Sequence, residues 1–217
     1  MDAVIKSSDL TIGIDIGGTK ISAGVVDSSG NIIDSSRIST PAEGGKELIL
    51  AVINLIKELK EKHEIKGIGI SIAALISSDY GTIVGAPNIA NLSKLNFVNE
   101  IKAEFKLPIV VENDANSAMW AEFKFGNAKG LNPVMFFIIG TGVGGGLVID
   151  GKLFKGANGI GAEFGHMCVV SNGLLCGCGS KGCIEQYASG GALIRCANEV
   201  ILNNPQSSET LLSFGEG

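Results

Sequence analysis

Two glycine-rich turns, each set between apolar β-forming runs, constrain this chain more than any other feature of its sequence. The first is "GIDIGGTK" (13–20) and the second "IGTGVGGG" (139–146). Glycine supplies 31 of the 217 residues, concentrated in these segments and in "GANGIGAEFGH" (156–166). Such clusters mark backbone that turns sharply or comes close to something. Around the first turn, Leu10 to Ile16, Ile21 to Asp27 and Ile32 to Ser39 read as three short strands, a β-meander opening on a glycine hairpin. Leu48 to His63 repeats its apolar residues at three and four, which predicts an amphipathic helix, and "IKGIGISIAAL" (65–75) follows as a buried strand. Leu95 to Phe105 reads as a second helix, Pro108 to Val111 as a strand and Asn116 to Phe125 as a third helix. This order is that of an α/β protein. Pro133 to Ile139 and Gly145 to Ile149 then repeat the opening arrangement around the second turn. The repetition predicts two related lobes, residues 1–115 and 116–217.

Both turns imitate nucleotide motifs without meeting their context. Gly140, Gly142 and Gly145 satisfy G-x-G-x-x-G, but that dinucleotide fingerprint needs a helix directly after it, and "GLVIDGKLF" is β-rich. Gly13 to Lys20 approaches a P-loop, yet the order is Gly-Thr-Lys and a strand follows. Taken together as exposed backbone N–H groups at two hairpins, they predict a phosphate clamp, with Asp15 placed to meet Mg²⁺ on the phosphates.

Composition excludes other classes. A net charge of −5 leaves no basic footprint for nucleic acid or an anionic membrane. The most apolar run, 133–149, is interrupted by glycines and cannot make a membrane helix. The start, "MDAVIKSSDL", lacks a secretory pattern, and five cysteines is an odd number for a disulfide framework. These features predict a cytoplasmic protein.

The cysteines cluster in "CGCGSKGCIEQ" (176–186). Neither gap in Cys176-x-Cys178-x4-Cys183 has the C-x-x-C spacing of redox chemistry. Three thiolates are one ligand short of a tetrahedral zinc site, and His166, ten residues upstream, completes the set. Cys168 and Cys196 remain over and are expected to be small buried residues.

"DIGGTK", "ENDAN", "GTGVGGG", "GAEFGH" and "CGCGSKGCIEQYASG", in this order from Thr11 to Gly191, resemble the ROK family of sugar kinases and related repressors, most of all its bacterial glucokinases. The resemblance implies the two-lobed actin/hexokinase-type, ribonuclease-H-like α/β fold, with sugar and ATP between the lobes. It implies ATP-dependent phosphorylation of glucose to glucose 6-phosphate, with ATP, Mg²⁺ and a structural Zn²⁺. Asp15, Gly17, Gly18, Thr19, Lys20, Thr141 and Gly142 would lie nearest the phosphates. In "ENDAN", an isolated Asn-Asp pair reads as a helix cap; by resemblance Asp114 is the base that takes the acceptor hydroxyl's proton. Asn88, Asn113, Glu163, His166 and Glu185 would bind sugar hydroxyls, with His166 using one ring nitrogen for zinc and the other for sugar.

Two departures from the family pattern stand out. Ala73 and Ala74 occupy positions where a glycine is usual, and the added methyls bear on which sugar fits. Members of the family also continue well beyond "LLSFGEG", so the large lobe is expected to be incomplete. Competing expectations are a polyphosphate glucokinase, another hexose or N-acetylhexosamine kinase, and a non-catalytic sugar sensor. A repressor would need a DNA-binding domain, and about nine residues precede Leu10. A homodimer is the expected assembly.

Overall fold

The computed structural model describes residues 9–77, 83–86, 89–92 and 96–203. The chain divides into two compact units, Met1–Val134 with Leu147–Gly161, and Met135–Gly146 with Ala162–Gly217.

In the first unit the strands β1 (Leu10–Ile16), β2 (Lys20–Val26) and β3 (Ile32–Ser39) form the meander. Helix α1 (Gly45–Lys62), strand β4 (Ile65–Ile72), the short pair β5 (Leu75–Ile76) and β6 (Ile83–Gly85), helix α2 (Phe97–Glu104), strand β7 (Ile109–Asn113) and helix α3 (Asp114–Lys124) follow. One sheet runs β3-β2-β1-β4-β7. Its meander is antiparallel, while β1, β4 and β7 are parallel. Alternation sets the register: Ile12, Ile14 and Ile16 of β1 are buried while Gly13 and Asp15 are exposed. The buried side joins Leu48, Val52, Ile56 and Leu59 of α1 and Phe97, Val98 and Ile101 of α2 in one apolar cluster. Helix α3 starts two residues before the sequence-predicted position because the Asn113 side chain accepts a hydrogen bond from the Asn116 N–H and caps it.

β8 (Val134–Ile139) and β9 (Val143–Ile149) flank the second glycine turn, and in the first unit β10 (Lys152–Leu153) pairs back on Val148 and Ile149. The strand after the G-x-G-x-x-G segment is therefore real. Beyond it the described residues of the second unit form a 3₁₀ turn (Phe164–His166), α4 (Glu185–Ala188) and α5 (Gly190–Asn203), the last two beyond the final helix expected from the sequence.

Burial separates the two units. Apart from glycines, the buried residues described in the second unit are Val143, Cys176, Cys183, Ser189 and Ala192. Cys168 and Cys196, expected to be buried, are exposed. Cys196 lies on α5, where Ala192 is the buried residue, and Cys168 lies on an isolated bridge to Cys183 within an exposed run from His166 to Asn172. No helix of the described residues is long and apolar enough to cross a membrane.

Candidate active site and metal centre

The three parallel strands of the first unit bring polar residues to one level at their C-terminal ends. Asp15 of β1 is in register with Ser71 of β4, and Ser71 with Glu112 of β7. Ser71 Oγ donates to Asp15 Oδ1 at 3.1 Å. The carboxyl ends of parallel strands are where α/β sheets hold ligands, because helices and loops begin there and leave backbone groups open. The Gly17–Thr19 turn joins β1 to β2 at this end. It is tied down by Thr40, whose hydroxyl donates to the Gly17 carbonyl at 2.7 Å and whose N–H donates to the Thr19 carbonyl at 3.1 Å. Gly18, Thr19 and Lys20 are exposed beside Asp15.

Asp114 is the first residue of α3. Its Oδ1 accepts from the Ala115 N–H at 3.0 Å and from Asn113 Nδ2 at 2.9 Å. The carboxyl is open on one side, yet the protein around it disfavours the ionised form and raises its pKa above the ordinary 3.8, with the charge of Asp15 adding to the effect. Asn113 is a cap first: its Oδ1 receives the Asn116 N–H at 3.1 Å, and its Nδ2 also reaches the Ala74 carbonyl at 3.3 Å. One of the two unusual alanines thus meets the site through its backbone.

Beneath this turn lies a group the sequence reading missed. Glu112 Oε1 accepts from the Asn113 N–H and from Asn116 Nδ2, each at 3.1 Å, while Oε2 pairs with Lys155. Glu112, Asn116 and Lys155 together brace the strand-to-helix junction that carries Asp114. The available signal was alternation: Ser71 and Glu112 are polar residues on the sheet face that carries Asp15. That face opens into a cavity of 1210 Å³ reached by Asp15, Ser71, Glu112, Lys155 and Trp120. Asn88 lies outside the described residues.

The second unit builds its site from loops. Gly145 and Gly165 allow β9 and the 3₁₀ turn to touch: a Cβ on Gly165 would lie 1.9 Å from the Val143 carbonyl oxygen, and one on Gly145 2.7 Å from that of Ala162. This contact fixes the 163–166 segment, with Glu163 at the N-cap position of the turn and exposed. His166, Cys176, Cys178 and Cys183 converge, with one donor atom from each lying within 4.8 Å of all the others. His166 Nδ1 is 3.5 Å from Cys176 Sγ, and the sulfurs of Cys178 and Cys183 are 3.7 Å apart. A tetrahedron with bonds of about 2.3 Å to sulfur and about 2.0 Å to nitrogen has edges of roughly 3.5–3.8 Å. The donor set and spacing therefore fit zinc, with Nδ1 as the histidine ligand and Nε2 left over. Burial, reinforced by the neighbouring thiols, pushes the Cys183 thiol up to about 12, so a metal entering here must displace protons.

Thr141 and Gly142 form the turn between β8 and β9, closed by a hydrogen bond from the Gly140 N–H to the Gly142 carbonyl at 3.0 Å. Glu185, the first residue of α4, directs its Oε2 to the Val143 N–H at 2.9 Å. Of the residues singled out in the sequence, the first unit gathers Asp15, Asn113 and Asp114. The second gathers Thr141, Gly142, Glu185 and the four metal-ligand candidates.

A model of the ROK family matches residues 11–212. The chain belongs to the ROK family. It is 46% identical over 208 residues to a glucokinase of Streptomyces coelicolor, covering 96% of this chain and 65% of that protein. It is 37% identical over 182 residues to an N-acetylmannosamine kinase of Yersinia pseudotuberculosis, covering 84% and 62%. Among solved structures, a ROK glucokinase from Streptomyces griseus in complex with glucose and AMPPNP matches with TM-score 0.81 and 43% identity, over 94% of this chain and 65% of that one. A ROK hexokinase from Thermus thermophilus matches with TM-score 0.80 and 32% identity, over 89% and 64%. The fold is thus the actin/hexokinase-type α/β fold of these ROK kinases. The chain spans 65% of the length of the Streptomyces coelicolor glucokinase it matches.

Proposed function

We propose that this ROK chain belongs to an enzyme that transfers the γ-phosphoryl group of ATP to glucose, giving glucose 6-phosphate and ADP. The observation that carries the reading is the Asp114 carboxyl at the head of α3, held by Asn113 and the Ala115 N–H, with a pKa raised by its surroundings. A base of raised pKa accepts a hydroxyl proton more readily than an ordinary carboxylate. In the proposed reaction the sugar 6-oxygen bonds to the γ-phosphorus as the bond to the β,γ-bridging oxygen breaks, and the hydroxyl proton passes to Asp114.

The glycine turns at Gly17–Lys20 and Thr141–Gly142 offer backbone N–H groups to the phosphates, and Asp15, held by Ser71, is the group for Mg²⁺. When bound, that ion neutralises charge on the phosphates. Asn88, Asn113, Glu163, His166 and Glu185 would select the sugar. His166 is suited to this because Nε2 stays available once Nδ1 serves the thiol cluster. Zinc held by that cluster would have four protein ligands and no open position, so its part would be structural. The functional lobes are proposed to divide at 115/116 in a homodimeric cytoplasmic enzyme, and the five free cysteines agree with a reducing compartment.

The similarity to an N-acetylmannosamine kinase makes an N-acetylhexosamine the second candidate sugar, although the methyl groups of Ala73 and Ala74 leave less room for its N-acetyl group. A coupled assay of the purified protein, with a sugar panel and with ATP or polyphosphate as donor, tests the reading. Fastest turnover with glucose and ATP supports it. Glucose binding without transfer from either donor overturns it in favour of a sensor.

A further inference from the structure

We infer that Glu185 is a positioning residue that couples the thiol cluster to the glycine turn at 140–143, so that a bound metal orders the proposed phosphate-binding segment as well as the sugar side. The inference rests on the reading of that turn as a phosphate site.

Three backbone groups of the turn end on one short stretch of chain. The Val143 N–H donates to Glu185 Oε2 at 2.9 Å, and the Gly140 and Thr141 carbonyls accept from the Gly190 and Gly191 N–H groups at 2.8 and 3.2 Å. Gly142 is what lets the carboxylate in, because a Cβ there would lie 2.4 Å from Glu185 Oε2. The same stretch is anchored on the thiols. Glu185 follows Cys183 by two residues, and the Gln186 N–H donates to the Cys183 carbonyl at 3.0 Å. Gln186 Nε2 approaches Cys176 Sγ at 3.6 Å, and Glu185 Oε1 lies 3.9 Å from that sulfur. A metal that draws Cys176 and Cys183 into one shell fixes the start of α4 at two points, and the Glu185 carboxylate carries that order to Val143. A residue serving only the sugar has no need to hold the first N–H of β9.

The test is amide hydrogen exchange followed by mass spectrometry, read on peptides covering 139–146 and, as a control on folding, 65–72. The zinc-loaded wild type, the same protein stripped with a chelator and then reloaded with Zn²⁺, Glu185→Ala and Glu185→Gln are compared. Exchange at 139–146 should quicken about tenfold both in Glu185→Ala and on stripping, since a hydrogen bond to a charged acceptor is lost in each. Reloading should reverse the second change, stripping Glu185→Ala should add little more, and Glu185→Gln, which keeps an acceptor oxygen, should recover most of the protection. Unchanged exchange at 139–146 in Glu185→Ala, or on stripping, overturns the inference. Where kinase turnover is present, Glu185→Ala should raise KM for ATP about as strongly as exchange quickens; a rise confined to the sugar KM also overturns it. Absence of turnover would sink the kinase reading but leave the exchange result to decide the coupling.

Discussion

The two units solve the same problem, holding a few polar groups still, by opposite means. In the first, Asp114 stands on a strand-to-helix junction whose geometry comes from a parallel sheet backed by a continuous apolar cluster from Ile12 to Val111. In the second, the residues of interest sit on turns and one-turn helices, and two of its few buried side chains, Cys176 and Cys183, are candidate metal ligands. The described residues of this segment bury little apolar surface to offset their ordering entropy, and on the proposed reading a metal shell would supply what packing does not. Regular structure positions the Asp114 carboxyl, whereas the proposed positioning in the second unit would come from coordination chemistry.

The strongest way to break this comparison is to take the metal away. Structural zinc contributes on the order of 10 kcal/mol to the folding of small zinc domains at neutral pH. Chelation, or Cys183→Ser, should therefore expose the 162–203 segment to protease and to rapid amide exchange while peptides from β1, β4 and α1 stay protected. Rebinding should release protons, since the Cys183 thiol sits at about 12 without the ion. Equal loss of protection in both units would show that the first also depends on the metal. No loss in either would remove the metal from the account of the fold.

Asp114 gives the next largest effect, and it separates function from stability. Asp114→Asn keeps the shape and an acceptor but removes the base, so turnover should fall about 10²–10⁴-fold with the sugar dissociation constant little changed. Because the folded-state pKa is raised, the ionised form is disfavoured by the fold. Its stability contribution is full below the ordinary value of 3.8 and is lost as pH rises through the raised value. At neutral pH the variant should accordingly melt no lower than wild type. Wild-type turnover should decline as pH falls through that raised value. A variant of near-normal turnover would remove Asp114 from the mechanism.

A matched core substitution sharpens the contrast from the other side. Phe97 of α2 is completely buried in the first unit's apolar cluster. Phe97→Ala should cost about 3–5 kcal/mol, seen as a lowered denaturation midpoint of that unit. Zinc affinity, measured by competition with a chromophoric chelator, should hardly move. A parallel fall would show that the thiol cluster depends on the apolar core of the first unit.

The first unit was largely legible in the sequence because its forces are periodic. Alternation in β1 and the three-four spacing of α1 state which face is buried, and β3 runs from Ile32 to Ser39 as read. The brace under Asp114 was not legible. Glu112, Asn116 and Lys155 meet through sheet register and a return of the chain 43 residues later, and no local pattern encodes that pairing. In the second unit the metal-ligand candidates were legible as chemistry, by residue type and count, although almost nothing around them is periodic. The same lack of periodicity explains the two cysteines read wrongly: burial of Cys168 and Cys196 was inferred from residue type, and α5 leaves most of its surface open. Glu185 was legible as a residue of interest but not as a partner of Val143, since a hydrogen bond spanning 42 positions leaves no trace in spacing.

The smallest effect lies at the edge of the first unit, and it tests whether that unit carries any pH sensitivity away from Asp114. Asp34 of β3 accepts from His63 Nε2 at 2.9 Å, closing the C-terminal end of α1 onto the sheet. That hydrogen bond, with smaller help from the Ser35 N–H, holds the Asp34 carboxyl below its ordinary 3.8. The sign is opposite to that of Asp114: the contribution is present above 3.8 and is lost as pH falls through the depressed value. Both side chains are partly exposed, so the effect should be slight and weakened by salt. Asp34→Asn, compared with wild type by urea denaturation across an acid series, should show a small deficit that is constant at neutral pH and closes only below 3.8. A deficit that persists unchanged into acid would mean that Asp34 acts through packing, because only a carboxylate that has taken up its proton loses the advantage the histidine gives it.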